Sequence, residues 1–142
     1  MRMDKLTSKF QLALQDAQSL ALGRDHQFIE PTHLMVALLD QEGGNTRGLL
    51  TKAGVDINQL RSKLGSVLDR LPTVLGGEAG SVHVSNDLAK LLNVADKFAQ
   101  QRKDHCISSE LFILAVMDDR CASGAVMQYS GAVKGAIEKA SD

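Results

Sequence analysis

An internal repeat, displaced by 78 residues, is the feature that most limits how this 142-residue chain can fold. Six apolar or small residues in the first half follow the spacing i, i+3, i+4, i+7 of one helix face. Each has an apolar or small counterpart 78 positions later, and no gap is needed over positions 10–40. The chain is therefore predicted to contain two copies of one helical unit. The six pairs are Phe10/Leu88, Ala13/Leu91, Leu14/Leu92, Ala17/Ala95, Leu20/Phe98 and Ala21/Ala99.

Each copy is predicted to contain four helices, because capping and breaking residues divide the first copy into four helical segments. The same offset pairs Thr7 with Ser85 as candidate caps at the start of the two copies. The signals in the first copy are a start at Thr7 or Ser8 with an end at Gly23, a second start at Pro31, a third segment at about 46–53, and a fourth that starts at Asp56 and stops before Pro72.

We predict an all-α fold in which the two four-helix units pack about a pseudo-twofold axis. Neither unit can bury its apolar face alone, and no segment of strand length alternates with period two. Residues 73–84 contain three glycines and no helical periodicity, which predicts a flexible connection. A single domain over 1–142 then consists of repeat 1 at 1–72, this connection, and repeat 2 at 85–142.

Composition argues against polyanions and membranes as partners. Sixteen basic residues face 17 acidic ones, and the chain has no tryptophan, one tyrosine and four phenylalanines, so neither charge nor stacking rings favour nucleic acid. The longest apolar run, 111–117, is too short to cross a bilayer, and the start lacks a signal peptide. We expect a cytoplasmic domain, monomeric when isolated.

Cys106 and Cys121 are predicted to be buried or half-buried thiols, with a disulfide or a reactive site as the alternative.

The motifs of common enzyme and metal sites are absent from the sequence. No glycine is followed by lysine, so the phosphate loop GxxxxGK[ST] cannot occur, and GxGxxG, HExxH and GxSxG are also missing. The four histidines show no i, i+4 pairing that would hold a metal. We therefore expect no catalytic site, no metal and no cofactor in this chain.

The two copies differ at positions that bear on function. Asp16 of the first copy corresponds to Val94, and His33 corresponds to Leu111. By periodicity the two polar residues face solvent, so their counterparts would add apolar surface to the second copy beside Phe98. Such a surface is typical of an interaction site. The alternative is that the other repeat covers Val94 and Leu111, which would make them core residues.

Three segments carry a resemblance to a known family: MRMDKLTSKFQLALQDAQSLALG, FIEPTHLMVALLDQEGG and ISSELFILAVMDD. They resemble the amino-terminal domain of the ClpB family of bacterial disaggregases, in the Clp/Hsp100 class of AAA+ proteins. The doubled helical unit is similar to the double Clp-N motif of that family. The resemblance extends over essentially residues 1–142.

The resemblance implies a mobile domain on a hexameric, ATP-driven ring, which engages unfolded or aggregated polypeptide and passes it to the pore. ATP and Mg would belong to downstream AAA+ modules, with no cofactor in this chain. Docking of an adaptor protein, as in protease-associated unfoldases, is the alternative, and a free-standing enzyme is a second one. The family's substrate-contacting positions fall on Thr7, Asp104 and Glu110, with an apolar groove at Val94, Phe98 and Leu111.

Thr7 and Glu110 also have a structural interpretation, because each suits a helix start.

Overall fold

The computed structural model describes residues 5–74 and 82–118. Within these ranges the chain is mostly helical, which confirms the predicted all-α class. The predicted remainder of the second copy, after residue 118, lies outside the described residues. In chain order the elements are α1 (Ser8–Gly23), β1 (Phe28–Ile29), α2 (Pro31–Asp40), α3 (Thr46–Lys52), α4 (Ile57–Arg70), β2 (His83–Val84), α5 (Asn86–Gln101) and α6 (Ser109–Asp118).

The 78-residue offset holds at the helix boundaries. Helix α5 begins and ends 78 residues after α1, and α6 does the same relative to α2. Both predicted caps are formed: the Thr7 hydroxyl accepts from the Phe10 amide at 3.3 Å, and the Ser85 hydroxyl accepts from the Leu88 amide at 3.1 Å. Equivalent side chains therefore satisfy equivalent amides that the first helical turn leaves without backbone partners.

The C-terminal ends of α1 and α5 are also equivalent. Each is followed by a residue in the left-handed region, Asp25 and Lys103, both with φ of 59°. The next amide then reaches back to the helix, from His26 to the Ala21 carbonyl at 2.9 Å and from Asp104 to the Ala99 carbonyl at 2.8 Å. These are Schellman-type ends. Neither end has glycine at the left-handed position. Gly23 is instead the last residue of α1 itself.

A pair of two-residue strands holds the described ends of the predicted connection 73–84. Strands β1 and β2 pair in parallel, with Phe28 opposite His83. On the other side of this segment, the Val74 amide donates to the Asp25 carbonyl at 2.8 Å. Residues 73–74 and 82–84 are therefore fixed by main-chain hydrogen bonds, and 75–81 lie outside the described residues.

Helices α2 and α6 form the centre of a continuous apolar core. Every side chain from Pro31 to Leu39, and every one from Leu111 to Met117, is buried. Helix α1 packs on α2, α5 packs on α6, and α4 covers another side of α2. The rings of Phe10 and Phe112, 5.7 Å apart between centroids, join the first copy to the second.

The two copies also exchange main-chain hydrogen bonds. The Thr7 amide, at the start of α1, donates to the Ile107 carbonyl just before α6, at 3.1 Å. The Ser85 amide, at the start of α5, donates to the Ile29 carbonyl just before α2, also at 3.1 Å. Each copy therefore begins on the segment that leads into the central helix of the other copy, as expected for a pseudo-twofold arrangement.

Candidate functional site

Thr7 lies at the seam between the copies and also caps α1. Its hydroxyl is occupied by the Phe10 amide, and its own amide is bonded to Ile107. The cap interpretation of Thr7 is therefore confirmed. The bond to Ile107 places Thr7 beside the start of α6, where Glu110 lies.

The two acidic residues of the predicted site lie on the segment that joins α5 to α6. Asp104 is exposed and closes α5 through its amide, and Glu110 is half-buried in the first turn of α6. A carboxylate in that turn interacts favourably with the positive end of the helix dipole. The structure thus brings Thr7 and Glu110 to one end of α6, and Asp104 six residues before Glu110.

The three apolar residues of the predicted groove are placed differently from one another. Val94 and Phe98 are half-buried, one turn apart on α5, and pack against the core. Leu111 is only 1% exposed. The expectation that Leu111 adds accessible apolar surface is therefore wrong, because α6 is buried on all sides and its helical period does not distinguish an outer face.

His33 was expected to face solvent, and this expectation is also wrong. The side chain is 0% exposed, because α2, like α6, is buried all round. Asp16, the other polar residue of the comparison, is exposed as predicted. The difference between the copies at His33 and Leu111 is therefore a difference within the core.

The buried His33 ring forms a hydrogen-bonded pair with His26. The two rings meet at 2.8 Å between His26 Nδ1 and His33 Nε2, and the Glu30 amide donates to His33 Nδ1, also at 2.8 Å. Because Nδ1 of His33 accepts, its proton is on Nε2, which donates to His26 Nδ1. This chain of bonds requires both rings to be neutral.

The electrostatic setting agrees with that protonation state. Burial, the neighbouring His26 and Arg24 lower the pKa of His33 from 6.5 to about 4, against a smaller opposite effect of its bond to Glu30. Burial and Arg24 also lower the pKa of His26, with Asp25 acting in the opposite direction. Sequence reasoning missed this pair. The available signal was His33 at the third residue after Glu30, where a capping-box side chain accepts the bond of the cap amide.

The prediction of a buried or half-buried thiol at Cys106 is wrong, because Cys106 is exposed. It lies in the turn between α5 and α6, where the chain faces outward before Ile107 enters the core. Cys121 lies outside the described residues.

Over residues 5–74 and 82–118, no group of three His, Cys, Asp or Glu side chains is placed to hold a metal ion. No helix in the described part of the chain is long and apolar enough to span a membrane.

Comparison with known proteins agrees with this architecture. The chain is 54% identical over 140 residues to the chaperone protein ClpB of Vibrio cholerae serotype O1, an alignment that covers 99% of this chain and 16% of that protein. The Hsp104 N-terminal domain from Candida albicans has a TM-score of 0.83 at 18% identity, covering 96% of this chain and 88% of that one. A ClpV N-domain in complex with a VipB peptide has a TM-score of 0.77 at 22% identity, covering 96% and 84%.

The two structural likenesses establish a shared fold, while the sequence match extends over nearly the whole chain. The chain spans 16% of the length of the ClpB relative, so it corresponds to one part of that protein. The family model of the Clp repeat (R) N-terminal domain matches residues 5–129. The chain therefore belongs to the Clp repeat N-terminal domain family.

Proposed function

We propose that this chain is the substrate-binding N-terminal domain of a ClpB-type, ATP-dependent chaperone. It takes hold of unfolded or aggregated polypeptide and passes it to an AAA+ ring formed by the rest of the protein. The observation that carries the proposal is the 54% identity to a ClpB chaperone over 99% of this chain. ATP and Mg belong to the ring, and a cytoplasmic hexamer is part of the same proposal. The ClpB relative favours this function over the docking of an adaptor.

The proposed contact surface is centred on Val94 and Phe98. Both are half-buried, so each keeps an accessible apolar portion while its base packs on the core. Thr7, Asp104 and Glu110 provide the polar rim. Leu111 contributes from the core, through the packing of α6 against α5.

An apolar surface suits the capture of many different unfolded chains, because it recognises exposed aliphatic and aromatic side chains rather than one sequence. Each side chain that is buried on binding contributes about 1–2 kcal/mol. Ordering of the bound segment offsets much of this gain, so a single domain binds weakly. Several copies on one ring restore capture through effective concentration, and weak single contacts allow release into the pore.

The experiment measures binding of reduced, carboxymethylated α-lactalbumin, a permanently unfolded protein, to the chain and to Val94→Asp. Aspartate already occupies the equivalent position in α1, as Asp16, so the helix tolerates it. We expect affinity to fall about tenfold, because a charged group replaces an apolar contact of about 1.4 kcal/mol. The matched control is Leu12→Ser, which removes an exposed leucine from α1.

The control should bind as the original chain does. Equal affinity of Val94→Asp and the original chain, with both folded by circular dichroism, would remove Val94 from the contact surface. A loss of affinity in Leu12→Ser as large as in Val94→Asp would show that exposed apolar surface in general, rather than this surface, binds the unfolded protein.

A further inference from the structure

A second apolar surface lies at the other end of α5 from Val94 and Phe98. Phe28 on β1 is 43% exposed, and Val84 on β2 is 41% exposed. Both residues line one cavity beside the paired strands. Val94 and Phe98 are about two to three helical turns further along α5, which begins directly after β2. Exposed apolar residues grouped in this way are typical of an interaction surface.

Two cavities flank Phe28, and Glu30 contributes to both. The smaller, of about 100 Å³, has an apolar wall formed by Leu71, Pro72 and Val74. The larger, of about 320 Å³, is within the size range of ligand-binding clefts. Its lining residues are Phe28, Glu30, Val84, Ser85, Asn86 and Asp87.

The larger cavity has the electrostatics of a cation site. Among the described residues that line it, Glu30 and Asp87 are the titratable ones, and none is a lysine or arginine. Burial and the nearby Asp87 raise the pKa of Glu30, against a smaller opposite effect of its hydrogen bond to Ser85. A positive group between the two carboxylates would relieve their mutual repulsion and could also interact with the face of the Phe28 ring.

This combination is not a by-product of the repeat. At the 78-residue offset, Phe28 corresponds to Cys106 and Glu30 to Ser108, while the first-copy counterpart of Asp87 is Lys9. The equivalent positions in the other copy therefore hold neither an aromatic ring nor a carboxylate. The side chains, and not the backbone architecture, create the surface.

We infer that the Phe28 surface, defined by Phe28, Glu30, Val84 and Asp87, binds a segment of polypeptide in which a lysine or arginine adjoins apolar residues. The basic side chain enters the larger cavity between the two carboxylates. The adjoining apolar side chains pack on Phe28 and Val84 and against the apolar wall of the smaller cavity. The surface is additional to the one around Val94 in the proposed function, and the two are tested separately.

The probe is a short fluorescein-labelled peptide of leucine, arginine and glycine, and binding is followed by fluorescence anisotropy at low salt. Asp87 is exposed, so it can be replaced without disturbing the core. Asp87→Lys should weaken binding about tenfold, because it places a positive charge at the cavity that repels the arginine of the peptide. Phe28→Ser should weaken it about fivefold through lost apolar contact. Leu12→Ser is the matched control and should bind as the original chain does. Val94→Asp is measured alongside it, so that any contribution of the Val94 surface to peptide binding is known separately. The same peptide with glutamate in place of arginine should bind about tenfold more weakly.

A measurement on the original chain makes the test independent of variant stability. Amide chemical shifts of Phe28, Val84 and Asp87 should move on titration with the arginine peptide. Unmoved shifts at these residues, or peptide affinity that depends on Val94 and not on Asp87 and Phe28, would overturn the inference. Such a result leaves the proposed function intact, since that rests on the unfolded protein and Val94→Asp.

Discussion

Replacing His33 with leucine should remove most of the acid sensitivity of the folded chain between pH 6.5 and 4. Leucine is the residue that the second copy has at this place in its core, as Leu111. In the original chain, a proton added to His33 Nδ1 would point at the Glu30 amide, which is itself a donor. A proton added to His26 Nδ1 would likewise point at the N–H group of His33 Nε2. The folded state therefore holds the rings neutral, whereas the unfolded state lets them take up protons.

The size of the effect follows from the pKa of His33. The native pKa of about 4 is lower than the ordinary value of 6.5, so only the unfolded state binds the proton between these two pH values. The free energy of unfolding then falls by about 1.4 kcal/mol for each pH unit below 6.5, and about 3 kcal/mol is lost by pH 4. His26, whose pKa is also lowered, adds to the fall in the same direction.

Other charged groups around the pair remain in both proteins. Arg24 and Asp25 act on the rings with opposite signs. Glu30, whose pKa is raised, acts against the histidines: its contribution to stability is present at low pH and is lost as the pH rises through its native pKa. The difference between the original chain and His33→Leu therefore isolates the histidine contribution.

The assay is urea unfolding followed by circular dichroism at 222 nm, at several pH values from 7.5 to 4. His33→Leu should show a clearly shallower fall in the free energy of unfolding over this range. The free energy of unfolding of His33→Leu at pH 7.5 is not itself the criterion, because the substitution also removes the hydrogen bond that His33 donates to His26. His105→Gln, at an exposed histidine, serves as the control and should keep the original slope. Equal slopes for His33→Leu and the original chain would refute the reasoning.

Substitutions at three further positions test the packing and the helix ends, each by the same urea unfolding at pH 7.5. Leu111→Ala should lower the free energy of unfolding by about 3 kcal/mol because it leaves a cavity in the core; a loss below about 1 kcal/mol would place Leu111 at the surface. Lys103→Gly should raise it by about 0.5–1 kcal/mol by relieving the left-handed backbone after α5, and a decrease would contradict that strain. Ser85→Ala should lower it by about 1 kcal/mol through loss of the cap, whereas Ser85→Thr should retain most of it.

The helix starts and the repeat could be predicted because local chemistry determines them. Thr7 and Ser85 cap their helices where the sequence places them, and the boundaries of α5 and α6 follow from the offset alone. A capping hydroxyl acts on an amide three residues away, so its signal survives in a single sequence.

The features that were missed depend on contacts between distant segments. The pairing of Phe28 with His83 involves two residues on each side, too few to show an alternating pattern. Helical periodicity misplaced His33 and Leu111 because it assumes one solvent-facing side, and α2 and α6 have none. The exposed turn at Cys106 is likewise set by tertiary packing, which residue type does not reveal.

The comparison of His26 with Asp104 shows how one repeat gives two different surfaces. These residues occupy equivalent positions, each with its amide bonded to the end of the preceding helix. His26 is 5% exposed because the buried His33 ring donates a hydrogen bond to it. In the second copy Leu111 stands in place of His33 and has no group to donate, so a buried Asp104 carboxylate would lack this partner. Asp104 is instead exposed. The difference between His33 and Leu111 in the core thus accompanies a buried His26 in the first copy and an exposed Asp104 in the second, on the side where the proposed contact surface has its polar rim.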